Sequence, residues 1–230
     1  MDKEELLARY EARGDEEDFL AARPLYERAI ARAPTADLVC QYGYLLQCRG
    51  SRLLREALDR YEQALQLDPA ADKAHWQLIW IHAMLRQPER AVAIYERMFA
   101  AVPDLRERRF LARAYALAGV WDRSRELVDG GLATAPEDWQ LIELRGDIRA
   151  ANGDPGGALA DWRRAHELEP ENLSSIYSSA FLLEREGRID EAVAAWRHIL
   201  EWSRARGNDL DAEWPRREID RLSGQGTPTG

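Results

Sequence analysis

Residues 57–69 read ALDRYEQALQLDP and residues 91–103 read AVAIYERMFAAVP: an alanine, a tyrosine four places on, a third mark three further and a proline five beyond that, repeated 34 positions later. The same ladder runs through Ser124, Val128, Gly131 and Pro136, then through Ala158, Trp162, Ala165 and Pro170. It closes as Ala192, Trp196 and Ile199 without the proline, and opens upstream as Ala22, Tyr26, Ala29 and Pro34. Six copies result, and Pro34, Pro69, Pro103, Pro136 and Pro170 stand 35, 34, 33 and 34 residues apart. A fixed period of that length marks an array in which each unit leans on its neighbours.

Within one period the apolar residues fall at helical spacings, first over His75 to Leu85 and then over Ala91 to Phe99, so two antiparallel helices are expected. The connection carries Gly14, Gly50, Gly119, Gly153 or Gly187, residues able to take positive φ and end the first helix, and Pro88 in the third repeat. Asp122, Asp154 and Asp190 lie just beyond that turn, where a carboxylate can cap the second helix. The ladder alanines let helices approach, the ring fills the space between repeats, and the proline stops the second helix.

These marks resemble the tetratricopeptide repeat family, whose 34-residue helix-turn-helix unit carries a small residue, an aromatic, a second small residue and a proline in its second helix. In the first helix the family's small residue is matched by Gly43, Ala112, Gly146 and Ala180. The chain departs from the pattern at Ile79, at an insertion around Ser51 to Arg55, and in repeat one, with a longer turn from Asp15 to Asp18 and Pro24 inside its second helix. The resemblance covers residues 1 to about 204. It implies an all-α, right-handed superhelical solenoid of about six helix-turn-helix repeats over 1–206, with repeats near 1–34, 37–69, 72–103, 105–136, 139–170 and 173–204. Leu210, Trp214, Ile219 and Leu222 suit the apolar stripe of a C-terminal capping helix over 207–223, and 224–230 reads as a disordered tail.

With 32 basic and 41 acidic residues the net charge is −9, an average field that repels phosphate backbones and anionic membranes. No nucleic-acid or membrane partner is expected. The acidic opening Met1 to Glu5 lacks an apolar core, and no stretch approaches the roughly 20 apolar residues that cross a bilayer, so a cytoplasmic protein is expected. Cys40 and Cys48 stand eight apart on one helix, too far for a disulfide, and read as reduced thiols. His75 and His82, seven apart, are too distant for one metal ion, and no catalytic or cofactor-binding motif is present, so neither an enzyme nor a cofactor is expected.

The resemblance places a binding groove on the first helices. Their exposed positions read Gln41, Tyr44 and Gln47, then Lys73, Trp76 and Trp80, then Arg106, Arg109 and Arg113, with Glu143 and Asp147 in repeat five and Tyr177, Phe181 and Glu184 in repeat six. The three arginines share one helical face, and with the tryptophans of the neighbouring repeat they form the candidate hot spot, since tryptophan and arginine dominate interface energies. An acidic or C-terminal peptide would fit there. The competing reading packs Trp76 and Trp80 between helices and spends the arginines on nearby carboxylates. The family's chaperone-tail clamp is not matched, since Glu4, Ala8, Gln41 and Gln77 depart from it and Lys73 alone agrees.

Three functional readings compete: a non-catalytic scaffold or adaptor gripping a peptide or partner helix, a sensor of an anionic small molecule at the tryptophan–arginine patch, and a homodimer through the C-terminal helix, with Leu210, Trp214 and Ile219 against a second copy.

Overall fold

The computed structural model describes residues 2–13, 16–48, 53–206 and 209–224. Among them are thirteen α-helices and no strand. In chain order these are α1 Lys3–Arg13, α2 Glu16–Arg32, α3 Ala36–Cys48, α4 Leu54–Leu67, α5 Asp72–Met84, α6 Pro88–Ala101, α7 Leu105–Leu117, α8 Trp121–Leu132, α9 Trp139–Ala151, α10 Pro155–Leu168, α11 Ser174–Arg185, α12 Ile189–Ala205 and α13 Asp209–Gly224. The protein is an all-α helical repeat, and its helices gather into two compact units, Met1–Val102 and Pro103–Gly230.

In each unit the ladder is the core. Ala22, Tyr26, Ala57, Tyr61, Ala64, Ala91 and Tyr95 are buried in the N-terminal unit, and Ser124, Val128, Ala158, Trp162, Ala165, Ala192 and Trp196 in the C-terminal unit. Ring and small residue meet across the two helices of one repeat. A methyl group added to Gly146 would stand 2.6 Å from the Trp162 ring, and one added to Gly43 would stand 3.1 Å from the Tyr61 ring. The buried rings also need partners for their polar tips. Tyr61 donates its hydroxyl to Gln47 Oε1 at 3.1 Å, Tyr95 to the His75 carbonyl at 3.0 Å, and the Trp162 indole to Asp147 Oδ1 at 3.0 Å.

The turns divide by residue type. Gly119, Gly153 and Gly187 take φ of 73°, 79° and 72°, the left-handed region where a side chain is strained. In the α5–α6 turn that conformation falls on Arg86, with φ of 57°, while Pro88 opens α6 at its first position. Gly14 and Gly50 lie outside the described residues.

The capping expectation changes in detail. Asp154 does cap α10, accepting from the Gly157 amide at 2.9 Å, but Asp122 and Asp190 lie inside the first turns of α8 and α12, where they face the positive helix end without capping it. The other aspartate caps belong to first helices: Asp104 accepts from Glu107 N at 2.8 Å and Asp138 from Leu141 N at 3.1 Å. Repeat one also differs, since Glu16 to Asp18 already form the first turn of α2, and the helix continues through Pro24.

Candidate functional site

In the N-terminal unit the first helices α1, α3 and α5 line a cavity of about 440 Å³. Leu7 and Glu11 come from α1, Asp37, Cys40, Gln41 and Tyr44 from α3, and Lys73, Trp76 and Gln77 from α5, with the ladder ring Tyr61 at the wall. Each helix contributes residues one turn apart, which places them on one face. The walls are mostly apolar: leucine, two phenols, an indole and a thiol. Burial pushes the Cys40 thiol up to about 11, so it lines the cavity as a neutral, apolar group.

The rim is polar and dipolar. Glu11 and Asp37 stand on the side of α1 and the start of α3, with Asp37 accepting from Gln41 Nε2 at 2.8 Å. Lys73 stands at the start of α5, exposed, and no carboxylate pairs with it among the described residues. Four residues singled out from the sequence, Gln41, Tyr44, Lys73 and Trp76, are thus brought together. Trp80 lies a turn further along α5 and is 43% exposed. Leu7, Glu11, Asp37, Cys40, Tyr61 and Gln77 were missed. Their signal was the i, i+4 pairing of Leu7 with Glu11 and of Cys40 with Tyr44, which marks a shared face without saying that the face is hollow.

The C-terminal unit treats its first-helix face differently. Arg113 is buried and forks two carboxylates of α9, with Nη2 on Glu143 at 3.0 Å and Nη1 on Asp147 at 2.6 Å. Burial works against its charge, but the two carboxylates more than offset that cost and hold the guanidinium above its ordinary pKa. Arg109 donates to Asp138 at 2.7 Å, and Arg106 pairs with its neighbour Glu107. Glu143 further accepts from Ser174 and Ser175 at the start of α11, so one chain of charges ties α7, α9 and α11. The three arginines therefore have carboxylates of their own inside this unit.

Tyr177 and Phe181 meet the last helix, Tyr177 half-buried and Phe181 still 46% exposed. Trp214 of α13 stacks on Tyr177 at 5.5 Å between centroids and 16° between planes, and lies 5.7 Å from Phe181 and 5.3 Å from the ladder ring Trp196. Arg221 of the same helix donates to both Glu184 oxygens at 2.7 Å. Leu222 is buried and Ile219 packs on the core formed by α11 and α12. The side chain of Leu210 lies outside the described residues. Of the stripe expected from α13, Ile219 and Leu222 pack on their own chain, while Trp214 stays 45% exposed.

Histidines and cysteines take structural places. His75 is buried between Tyr95 and the Pro69 carbonyl, at 3.2 and 2.9 Å. His82 is buried with neither ring nitrogen bonded among the described residues. Neither cysteine is in a disulfide, and Cys40 is buried while Cys48 is exposed. Among the described residues no helix is long and apolar enough to cross a membrane.

Comparison with known proteins adds to this geometry. Residues 51–110 match the model of the tetratricopeptide repeat. No curated protein matches the chain. Among solved structures, a thermophilic tetratricopeptide-repeat protein of Thermus thermophilus is 22% identical with a TM-score of 0.64, over 82% of this chain and 99% of that one. A tetratricopeptide repeat protein of Parabacteroides merdae is 14% identical with a TM-score of 0.52, over 99% and 94%. A chain of the APC/C hetero-tetramer Cut9–Hcn1 is 14% identical with a TM-score of 0.57, over 95% of this chain and 45% of that one. At these identities the likeness is one of fold alone. The ladder with its buried rings, the paired helices and the match agree: residues 51–110 are similar to the tetratricopeptide repeat, and the chain has the helical-repeat fold of tetratricopeptide-repeat proteins.

Proposed function

We propose that the chain is a non-catalytic adaptor that grips a segment of another protein in the α1–α3–α5 cavity of its N-terminal unit. The observation that carries this reading is the cavity itself: an apolar hollow of about 440 Å³ with Lys73, exposed and without an ion pair among the described residues, at its rim. Hollows of this size, with apolar walls and a few polar groups, suit an anchoring side chain and its flanks. Gln41, Tyr44, Lys73 and Trp76 are the gripping residues, and Trp80 extends the surface along α5. Arg106, Arg109 and Arg113 build the wall of the C-terminal unit, and Tyr177 and Phe181 seat its last helix. An anionic small molecule would have to displace carboxylates from those arginines, so the sensor reading has less support.

A photo-crosslinking residue placed at Gln77 in the full chain, in its native cells, tests the proposal against the same residue at Glu62, an exposed position on α4. Discrete adducts from position 77 that vanish with Lys73→Glu and Trp76→Ala are expected. Identical adducts from both positions, or none from position 77, would remove the cavity as the grip.

A further inference from the structure

The two ends of the array hold the same three positions in opposite states. Counted back from the turn glycine, Cys40 and Tyr44 of α3 occupy the places of Tyr177 and Phe181 of α11, and Tyr61 is the ladder counterpart of Trp196. In the C-terminal unit an indole is seated on that trio: Trp214, itself 45% exposed, packs against all three rings at 5.3 to 5.7 Å. In the N-terminal unit the equivalent trio borders the open cavity. Cys40 is smaller than the ring at its counterpart position, which leaves space where the other unit has an aromatic face.

The molecule therefore displays on one unit the kind of group that the other unit leaves room for. Resting on the docking reading above, we infer that the cavity takes an aromatic side chain presented by an amphipathic helix of the partner, with a carboxylate about one turn from the ring. The ring meets Tyr44, Tyr61, Trp76 and Leu7, contacts that favour an aromatic over an aliphatic anchor. Charge sets the direction of the helix. Lys73 on α5 lacks a carboxylate among the described residues, while Glu11 comes from α1 and Asp37 from α3, so an acidic flank faces α5 and a basic flank faces α1. The seated helix α13 carries that pattern itself: Glu218 one turn beyond Trp214, and Arg216 and Arg217 beside it. Its indole nitrogen donates to Glu218 Oε1 at 3.1 Å, so ring and carboxylate project together.

The test uses the full chain with Cys48→Ser, an exposed position, which leaves Cys40 as the single thiol at the cavity wall. The probe is a free peptide of the α13 sequence, residues 209–224, and its control is the same peptide with Trp214→Ala. The rate of Cys40 modification by a small methanethiosulfonate is followed with each. The tryptophan peptide is expected to slow modification at least fivefold, the alanine peptide less than twofold, and Lys73→Glu to weaken the protection. Equal protection by both peptides would overturn the aromatic anchor while leaving a docking cavity in place. No protection by either would overturn the anchor too, and the crosslinks from position 77 would then decide the docking reading separately.

Discussion

The first-helix faces of the two units start from the same repeat and end differently. In the N-terminal unit α1, α3 and α5 leave a hollow with a lysine at its rim that has no ion pair among the described residues, whereas in the C-terminal unit α7 and α9 are laced by Arg109–Asp138, Arg113–Glu143 and Arg113–Asp147, α11 joins them through Ser174 and Ser175 on Glu143, and Trp214 stacks on Tyr177. A repeat fixes where a side chain points, but not whether its charge is already answered. What separates the proposed binding face from the structural one is the supply of complementary groups on neighbouring helices. The same arginine that could hold a partner's carboxylate becomes wall material when Glu143 and Asp147 stand one repeat away.

The largest expected effect tests that contrast directly. Arg113→Ala leaves Glu143 and Asp147 without their cation in a buried setting, and should cost about 3 kcal/mol or more in urea unfolding of the C-terminal unit. Lys73→Ala, exposed and without an ion pair among the described residues, should stay within about 0.5 kcal/mol. Comparable losses for the two would erase the distinction between a spent and an unspent cation.

Close packing gives the next step down. Gly146→Ala places a methyl 2.6 Å from Trp162 and should destabilise by about 1–2 kcal/mol despite alanine's better helix propensity. Gly43→Ala, 3.1 Å from Tyr61, asks a smaller shift and should fall below about 1 kcal/mol. Thermal melts of the two variants rank them, and the reverse order would mean that the N-terminal ladder is the tighter one.

The turns supply a change of opposite sign. Arg86→Gly relieves a left-handed backbone in the N-terminal unit and should raise its stability by about 0.5–1 kcal/mol, whereas Gly187→Ala imposes the same strain in the C-terminal unit and should lower it by about 1 kcal/mol. Urea unfolding of each variant beside the parent chain reads both signs.

The last test is one of pH. Burial, with Arg90 nearby, lowers the His82 pKa below the ordinary 6.5. As pH falls below that unfolded value the unfolded chain takes a proton that the folded chain refuses, so stability drops between pH 6.5 and the folded pKa and is flat above 6.5 as far as this group is concerned. His82→Leu should remove this component of the slope. An unchanged profile of hydrogen exchange in α5 from pH 7 to 5 would place the acid response elsewhere.

Much of the fold was legible because the ladder repeats a local physical requirement. Ala57, Tyr61 and Ala64, or Ala158, Trp162 and Ala165, announce a helix face that must be buried, and they are. Turn glycines were legible for the same reason at Gly119, Gly153 and Gly187, while Arg86 was not, since nothing in an arginine advertises positive φ. Capping was half legible: an aspartate near a helix start is visible, yet whether it sits at the cap, as Asp154 does, or inside the first turn, as Asp122 does, depends on a shift of two residues. The candidate site was least legible. Tyr44, Lys73 and Trp76 stood out as polar or aromatic residues on the right helices, but the hollow between them is a property of three helices at once.

By itself, then, the sequence determined the repeat, the pairing of helices and the residues of the ladder, because these follow from spacing and side-chain size along one chain. Only the tertiary structure decided that Arg113 belongs to Glu143 and Asp147, that Trp214 stacks on Tyr177 and touches Phe181, and that a cavity stays open beside Cys40 and Tyr61. Those outcomes depend on which group from a neighbouring helix arrives first at a given surface, and the spacing along one helix carries no record of what faces it from another.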